Sequence, residues 1–160
     1  MVQAQTNIEG RGGAAFTYLG SSGLSHEYLL VAGASRERQF DDFWSVKVTM
    51  EKEGLKVTQS KLKLKETDGF SSRNGLQATV NAKDGTVYLF GGQDSENEVL
   101  FDELWAYKDL ALKQVEFRPE DPTPVKRNSH TMVSNDTAAY IFGGANQDGP
   151  LNDLWEFNFE

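Results

Sequence analysis

Three short apolar runs punctuate the chain: Glu27-Tyr28-Leu29-Leu30-Val31, Thr86-Val87-Tyr88-Leu89-Phe90 and Ala138-Ala139-Tyr140-Ile141-Phe142. Each leads into a glycine-bearing pair, Ala32-Gly33, Gly91-Gly92 and Gly143-Gly144. Runs of this length, bounded by turn formers, predict buried strands. Before each lies a second strand candidate opened by arginine, at Arg11 to Thr17, Arg73 to Thr79 and Arg127 to Val133. The two are joined by hairpin turns, of which Lys83-Asp84-Gly85 is the clearest because Asp-Gly accepts the positive φ such turns need. A third strand follows around each tryptophan, with bulky and polar residues alternating in Leu104-Trp105-Ala106-Tyr107 and Leu154-Trp155-Glu156-Phe157-Asn158-Phe159. A fourth is visible twice, from Leu55 to Leu64 and from Leu112 to Phe117. The N-terminal stretch Val2 to Ile8 also alternates at period two and reads as a half-buried strand outside the three units.

Gly33, Gly92 and Gly144 lie 59 and 52 residues apart, which suits a four-stranded propeller blade with variable loops and exceeds most helical solenoid units. The succession of Arg-x-x-His, an apolar run ending in Gly-Gly, and Asp-Leu-Trp resembles the kelch repeat. The third unit matches best, through Pro124, Arg127, His130, Phe142-Gly143-Gly144 and Asn152-Asp153-Leu154-Trp155. In the second, Leu76 replaces the histidine; in the first, Ala14 does, and Ala32 replaces the first glycine. The resemblance implies an all-β fold, a kelch-type β-propeller segment of three four-stranded antiparallel blades, the last lacking its fourth strand. The expected organisation is a single domain, 1–160, with a closing strand in 1–10, blades in 11–66 and 67–120, and a partial blade in 121–160.

Composition narrows the chemistry. A net charge of −8 disfavours a nucleic-acid surface, which needs a basic face to displace counterions. No run approaches the roughly 20 apolar residues of a membrane helix, and residues 1–7 carry neither a basic leader nor an apolar export core, so membrane insertion is not expected and a cytoplasmic location is. With no cysteine, disulfide and thiolate chemistry are excluded. Asn135-Asp136-Thr137 has the form of a glycosylation sequon but reads as a turn. His26 and His130 stand apart from any nucleophile–base arrangement, and no metal or other cofactor is expected. Enzymatic kelch-like readings lack their marks: there is no cysteine for a cysteinyl-tyrosine copper site and no Ser-x-Asp-x-Gly-x-Thr-Trp box.

Residues that recur in every unit read as structural. The tryptophans are expected between blades, and the acid two or three places before each (Asp41 or Asp42, Asp102 or Glu103, Asp153) as a turn cap or arginine partner. Loops that differ between units are the better functional candidates. The expected partner-binding face therefore carries Arg36 and Arg38 from the first blade, Asp94, Glu96 and Glu98 from the second, and Asp148 from the third. Adjacent patches of opposite sign there would suit a polar peptide, so the expected role is a non-catalytic protein-interaction module. An alternative is a kelch-like enzyme or small-ligand-binding propeller, with Arg11, Arg73 and Arg127 together at a channel mouth as an anion site. A third is a structural role in a larger assembly.

Propellers close with about four to eight blades, so three leave open flanks and unpaired sheet edges. Two completions are expected. Either the chain joins the remainder of a longer propeller, or two copies form a homodimer of six blades, the strand Val2 to Ile8 of one completing the third blade of the other.

Overall fold

The computed structural model describes residues 2–67 and 69–159; Met1, Asp68 and Glu160, which belong to the expected closing segment, the first interblade linker and the end of the third unit, lie outside them. The fold is all-β. The first sheet is an antiparallel meander of β1 (Ala15–Ser22), β2 (Ser25–Val31), β3 (Phe43–Glu51) and β4 (Gly54–Leu62). Next come β5 (Glu66–Thr67), β6 (Gln77–Val80), β7 (Val87–Phe90), the ribbon β8 (Gln93–Asp94) and β9 (Val99–Leu100), then β10 (Leu104–Lys108) and β11 (Ala111–Gln114). The second sheet has the order β5-β11-β10-β7-β6. The third unit supplies β12 (Thr131–Ser134), β13 (Ala138–Phe142), the ribbon β14 (Ala145–Asn146) and β15 (Gly149–Pro150), and β16 (Leu154–Asn158), with β12, β13 and β16 in one three-stranded sheet.

Several expectations shift. The arginines do not open the inner strands: Arg11, Arg73 and Arg127 each stand four residues before β1, β6 and β12, in the segment that crosses between blades. Glu66–Thr67 pairs parallel to β11, so Glu66, the last residue of the expected first blade, lies on the edge of the second. The strand expected to reach Phe117 ends at Gln114. There Val115 still donates to the Leu104 carbonyl, but the chain then leaves the sheet and Phe117 packs edge-on against Phe157 of the third blade. Tertiary packing overrides the alternation. Residues 2–8 form no strand; alternation alone cannot hold an edge without a neighbouring strand to pair with.

The core lies between blades. One buried cluster joins Leu29, Val31 and Phe43 of the first blade to Leu76, Leu89, Trp105 and Leu112 of the second, with Phe70 from the linker edge-on to both Phe43 and Trp105. A second joins Phe90 and Leu104 to Met132, Ala139, Ile141 and Trp155 of the third. Trp105 and Trp155 fill these interfaces as expected, since a large ring covers the facing sheet where smaller side chains would leave a void, whereas Trp44 of the first blade belongs to neither cluster. Main-chain bonds stitch the same boundaries: Gly33 N–H donates to the Arg73 carbonyl at 2.8 Å, and Gly92 N–H to the Arg127 carbonyl at 2.9 Å. In return, Arg73 and Arg127 N–H donate to the Phe40 and Phe101 carbonyls, both at 3.1 Å.

Candidate functional site

Each of the three arginines closes its own blade. Arg127 donates to both carboxylate oxygens of Asp153 at 2.6 and 2.7 Å, to the Gly143 carbonyl at 2.9 Å and to the Val125 carbonyl at 3.0 Å. Arg73 repeats the pattern with Glu103 at 2.9 Å and the Gly91 and Ser71 carbonyls, and Arg11 with Asp42 and the Ala32 and Glu9 carbonyls. The same acids accept the tryptophan N–H: Trp44 on Asp42, Trp105 on Glu103 and Trp155 on Asp153. Of the acids near each tryptophan, it is always the one two places before it that pairs. Arg73 is also sandwiched by the rings of Phe101 and Phe70, at 3.8 and 4.3 Å from their centroids.

Arg73 and Arg127 are at most 1 % exposed, while their partners Glu103 and Asp153 keep part of their carboxylates in solvent. The Arg127 hydrogen bonds hold the Asp153 carboxyl well below the usual carboxylate range. Burial works against the Asp42 charge, but bonds from Arg11 and Trp44 outweigh it and its pKa is lowered. Burial lowers the pKa of Arg73, and the Glu103 charge opposes that shift. A guanidinium engaged on all sides by its own blade presents nothing to a ligand, so the arginine anion site expected at the channel mouth is not formed.

The variable loops form a different surface. The two ribbons β8–β9 and β14–β15 flank a cleft of about 390 Å³, lined by Gln93, Asp94, Ser95, Glu98, Val99, Leu100, Asn128, Asn146 and Gln147. Amide side chains run across the blades toward it. Asn74 donates to Gln39 Oε1 at 2.7 Å, Gln93 to Asn74 Oδ1 at 3.4 Å, and Asn128 to Gln93 Oε1. Gln39 in turn donates to Asp94 Oδ1 at 2.8 Å. Primary amides suit this role because each carries both donors and acceptors and can pass a bond onward.

The six loop candidates divide. Glu98 lines the cleft, while Glu96 and Asp148 are exposed in the turns of the flanking ribbons. Asp94 lines it too, but its carboxylate caps the β8–β9 turn, accepting from the Glu96 and Asn97 main chain and the Asn97 amide; the Asn97 side chain leads in holding its pKa down. Arg38 pairs with Glu9 of the N-terminal segment and lies over the Phe40 ring. Arg36 is exposed in the same first-blade loop. Between the first and second loops the contact is the neutral Gln39 on Asp94, while Arg38 turns to Glu9. The amide run was missed from sequence, although Arg-Asn recurs in Arg73-Asn74 and Arg127-Asn128 and Gln93 directly follows a glycine pair.

Residues 13–160 match the family model of the KLHDC2/KLHL20/DRC7 Kelch-repeats domain. Tip elongation aberrant protein 3 of Schizosaccharomyces pombe is 32 % identical over 120 residues, covering 68 % of this chain and 11 % of that protein. Kelch-like protein 40 of Xenopus laevis is 33 % identical over 66 residues, 41 % of this chain and 10 % of that protein. The chain thus spans about a tenth of the length of these relatives. Among solved structures, that of YjhT superposes with a TM-score of 0.61 at 14 % identity, over 95 % of this chain and 44 % of that one, a likeness of fold.

Proposed function

Because the chain belongs to the kelch-repeat family, whose domains typically mediate protein interactions, we propose that it is a non-catalytic interaction module that holds an extended, polar to basic segment of a protein partner in the cleft between its second and third blades. The observation that supports this reading is the cleft wall. Gln93, Asn128, Asn146 and Gln147 offer donors and acceptors to a peptide main chain, and Glu98, Glu96 and Asp148 set a negative field at and beside the cleft. Arg36 stands on another loop and Arg38 is tied to Glu9, so the basic side chains of the first blade lie outside the cleft.

Fluorescence anisotropy with labelled peptides of matched length and opposite charge tests the proposal. The basic peptide binds more tightly, its affinity falls with salt, and Glu98→Lys or Asp148→Lys each weakens it about fivefold, as expected of exposed charges. Asn128→Ala weakens both peptides, and Arg36→Glu neither. Equal binding of both peptides, or indifference to Glu98→Lys and Asp148→Lys together, refutes the assignment.

A further inference from the structure

The blade boundaries inside the chain define what an end flank requires. Val31 and Phe43 face the second blade, and Phe90 and Leu104 face the third; all four are at most 2 % exposed. The equivalent pair in the third blade is Phe142 and Leu154, matched by register, and these are 53 % and 67 % exposed. At the opposite end, the first blade presents a groove of about 340 Å³ lined in part by Phe16, Leu30 and Val46. In the second and third blades, the residues at the positions of Phe16 and Leu30 are Ala78 and Leu89, and Met132 and Ile141, which pack against the preceding blade.

The main chain is complementary in the same sense. Inside the chain, the second glycine of one blade donates to the arginine carbonyl of the next. Gly144 N–H has no such acceptor among the described residues, and the matching carbonyl at the other end is that of Arg11. Likewise the Phe40 and Phe101 carbonyls accept from Arg73 and Arg127, whereas the equivalent Leu151 carbonyl has no such donor among the described residues and Arg11 N–H is its counterpart.

We infer that the third-blade flank of one copy docks on the first-blade flank of a second copy, and that the reciprocal contact closes a ring of two chains. Each copy supplies both halves of the contact, so the association is head to tail and must close on itself or run on as a filament. Closure at two copies is supported by the superposed structure, of which this chain spans 44 %, leaving room in a ring of that size for about one more chain of equal length. The free edge of β16 then receives the alternating segment Val2 to Ile8 of the other copy as a fourth strand.

The internal boundary also predicts one contact at residue level. Thr79 Oγ1 lies 2.7 Å from Ser134 Oγ across the second and third blades. The same two positions at the ring closure are Val133 of one copy and Tyr18 of the other, both exposed in the single chain.

Light scattering on the 160-residue chain should give about twice 17.8 kDa, and Leu154→Asp should return the single-chain mass with the β-sheet circular dichroism kept. Since the chain has no cysteine, Val133→Cys and Tyr18→Cys chains mixed under mild oxidation should form a disulfide-linked pair, while neither does so alone. A single-chain mass at 100 μM together with no cross-link, the flanks then being left to blades of another protein or of a longer chain, overturns the proposal. So does a ladder of growing masses, which marks an open filament.

Discussion

His130 gives the fold a pH dependence that one substitution should remove. The imidazole is 2 % exposed and lies edge-on to Phe90 at 5.5 Å. Burial, aided by the Arg127 charge, lowers its pKa from 6.5 to about 4. The folded state therefore keeps the ring neutral where the unfolded chain takes up a proton, so the unfolded state binds more protons between pH 6.5 and about 4 and stability falls as pH falls through that window. With one site and these two values, the loss relative to pH 7.5 is on the order of 1 kcal/mol at pH 5.5 and 2 kcal/mol at pH 4.5. Leucine is the informative replacement because Leu76 occupies the same slot in the second blade at 1 % exposure. Urea unfolding of the parent and His130→Leu chains at pH 7.5, 5.5 and 4.5 measures the difference. The two should lie close at pH 7.5, and the variant should gain on the parent by about 2 kcal/mol at pH 4.5, on the order of 1 M in midpoint. Parallel curves for the two chains from pH 7.5 to 4.5 would refute the argument. The carboxylates with lowered values, such as Asp153, act in the same direction but at lower pH and are common to both chains.

Three further outcomes follow from the same geometry. Arg127→Leu removes the buried donor to the Gly143 and Val125 carbonyls and leaves the partly exposed Asp153 carboxylate unpaired, and should cost about 2–3 kcal/mol by thermal or urea unfolding; a cost under 1 kcal/mol would show the clip to be dispensable. Ala32 takes a φ of 58° where the other blades have Gly91 and Gly143, so Ala32→Gly should raise stability by about 1 kcal/mol, read as a higher melting temperature. Asp94→Ala removes the acceptor for the β8–β9 turn and for Gln39; amide exchange should accelerate in residues 93–100 while β7 and β10 keep their protection.

The elements that were legible in the sequence are those fixed by local constraint repeated three times. Glycine pairs at positive φ and tryptophans at blade boundaries recur because each blade faces the same steric problem, and the repetition itself makes them visible. The arginine–acid pairing was readable as a possibility, but Asp42 could be told from Asp41 only once β3 placed its side chain toward Arg11. The amide run stayed hidden because Gln39, Asn74, Gln93 and Asn128 belong to three different blades and meet only through blade stacking. Val2 to Ile8 carried a strand pattern with nothing beside it to pair with. Its alternation describes a surface preference rather than a location.

The two-way stitching at each blade boundary has a kinetic consequence. A crossover segment such as Arg73 to Gly75 is bonded forward to its own sheet through Glu103 and backward to Gly33, Phe40 and Gly13, so it cannot come away from one blade without disturbing the other. Opening of the single chain is then a nearest-neighbour process, in which the middle blade, held on both sides, is the last to exchange its amides and the outer blades are the first, an order that ring closure would level.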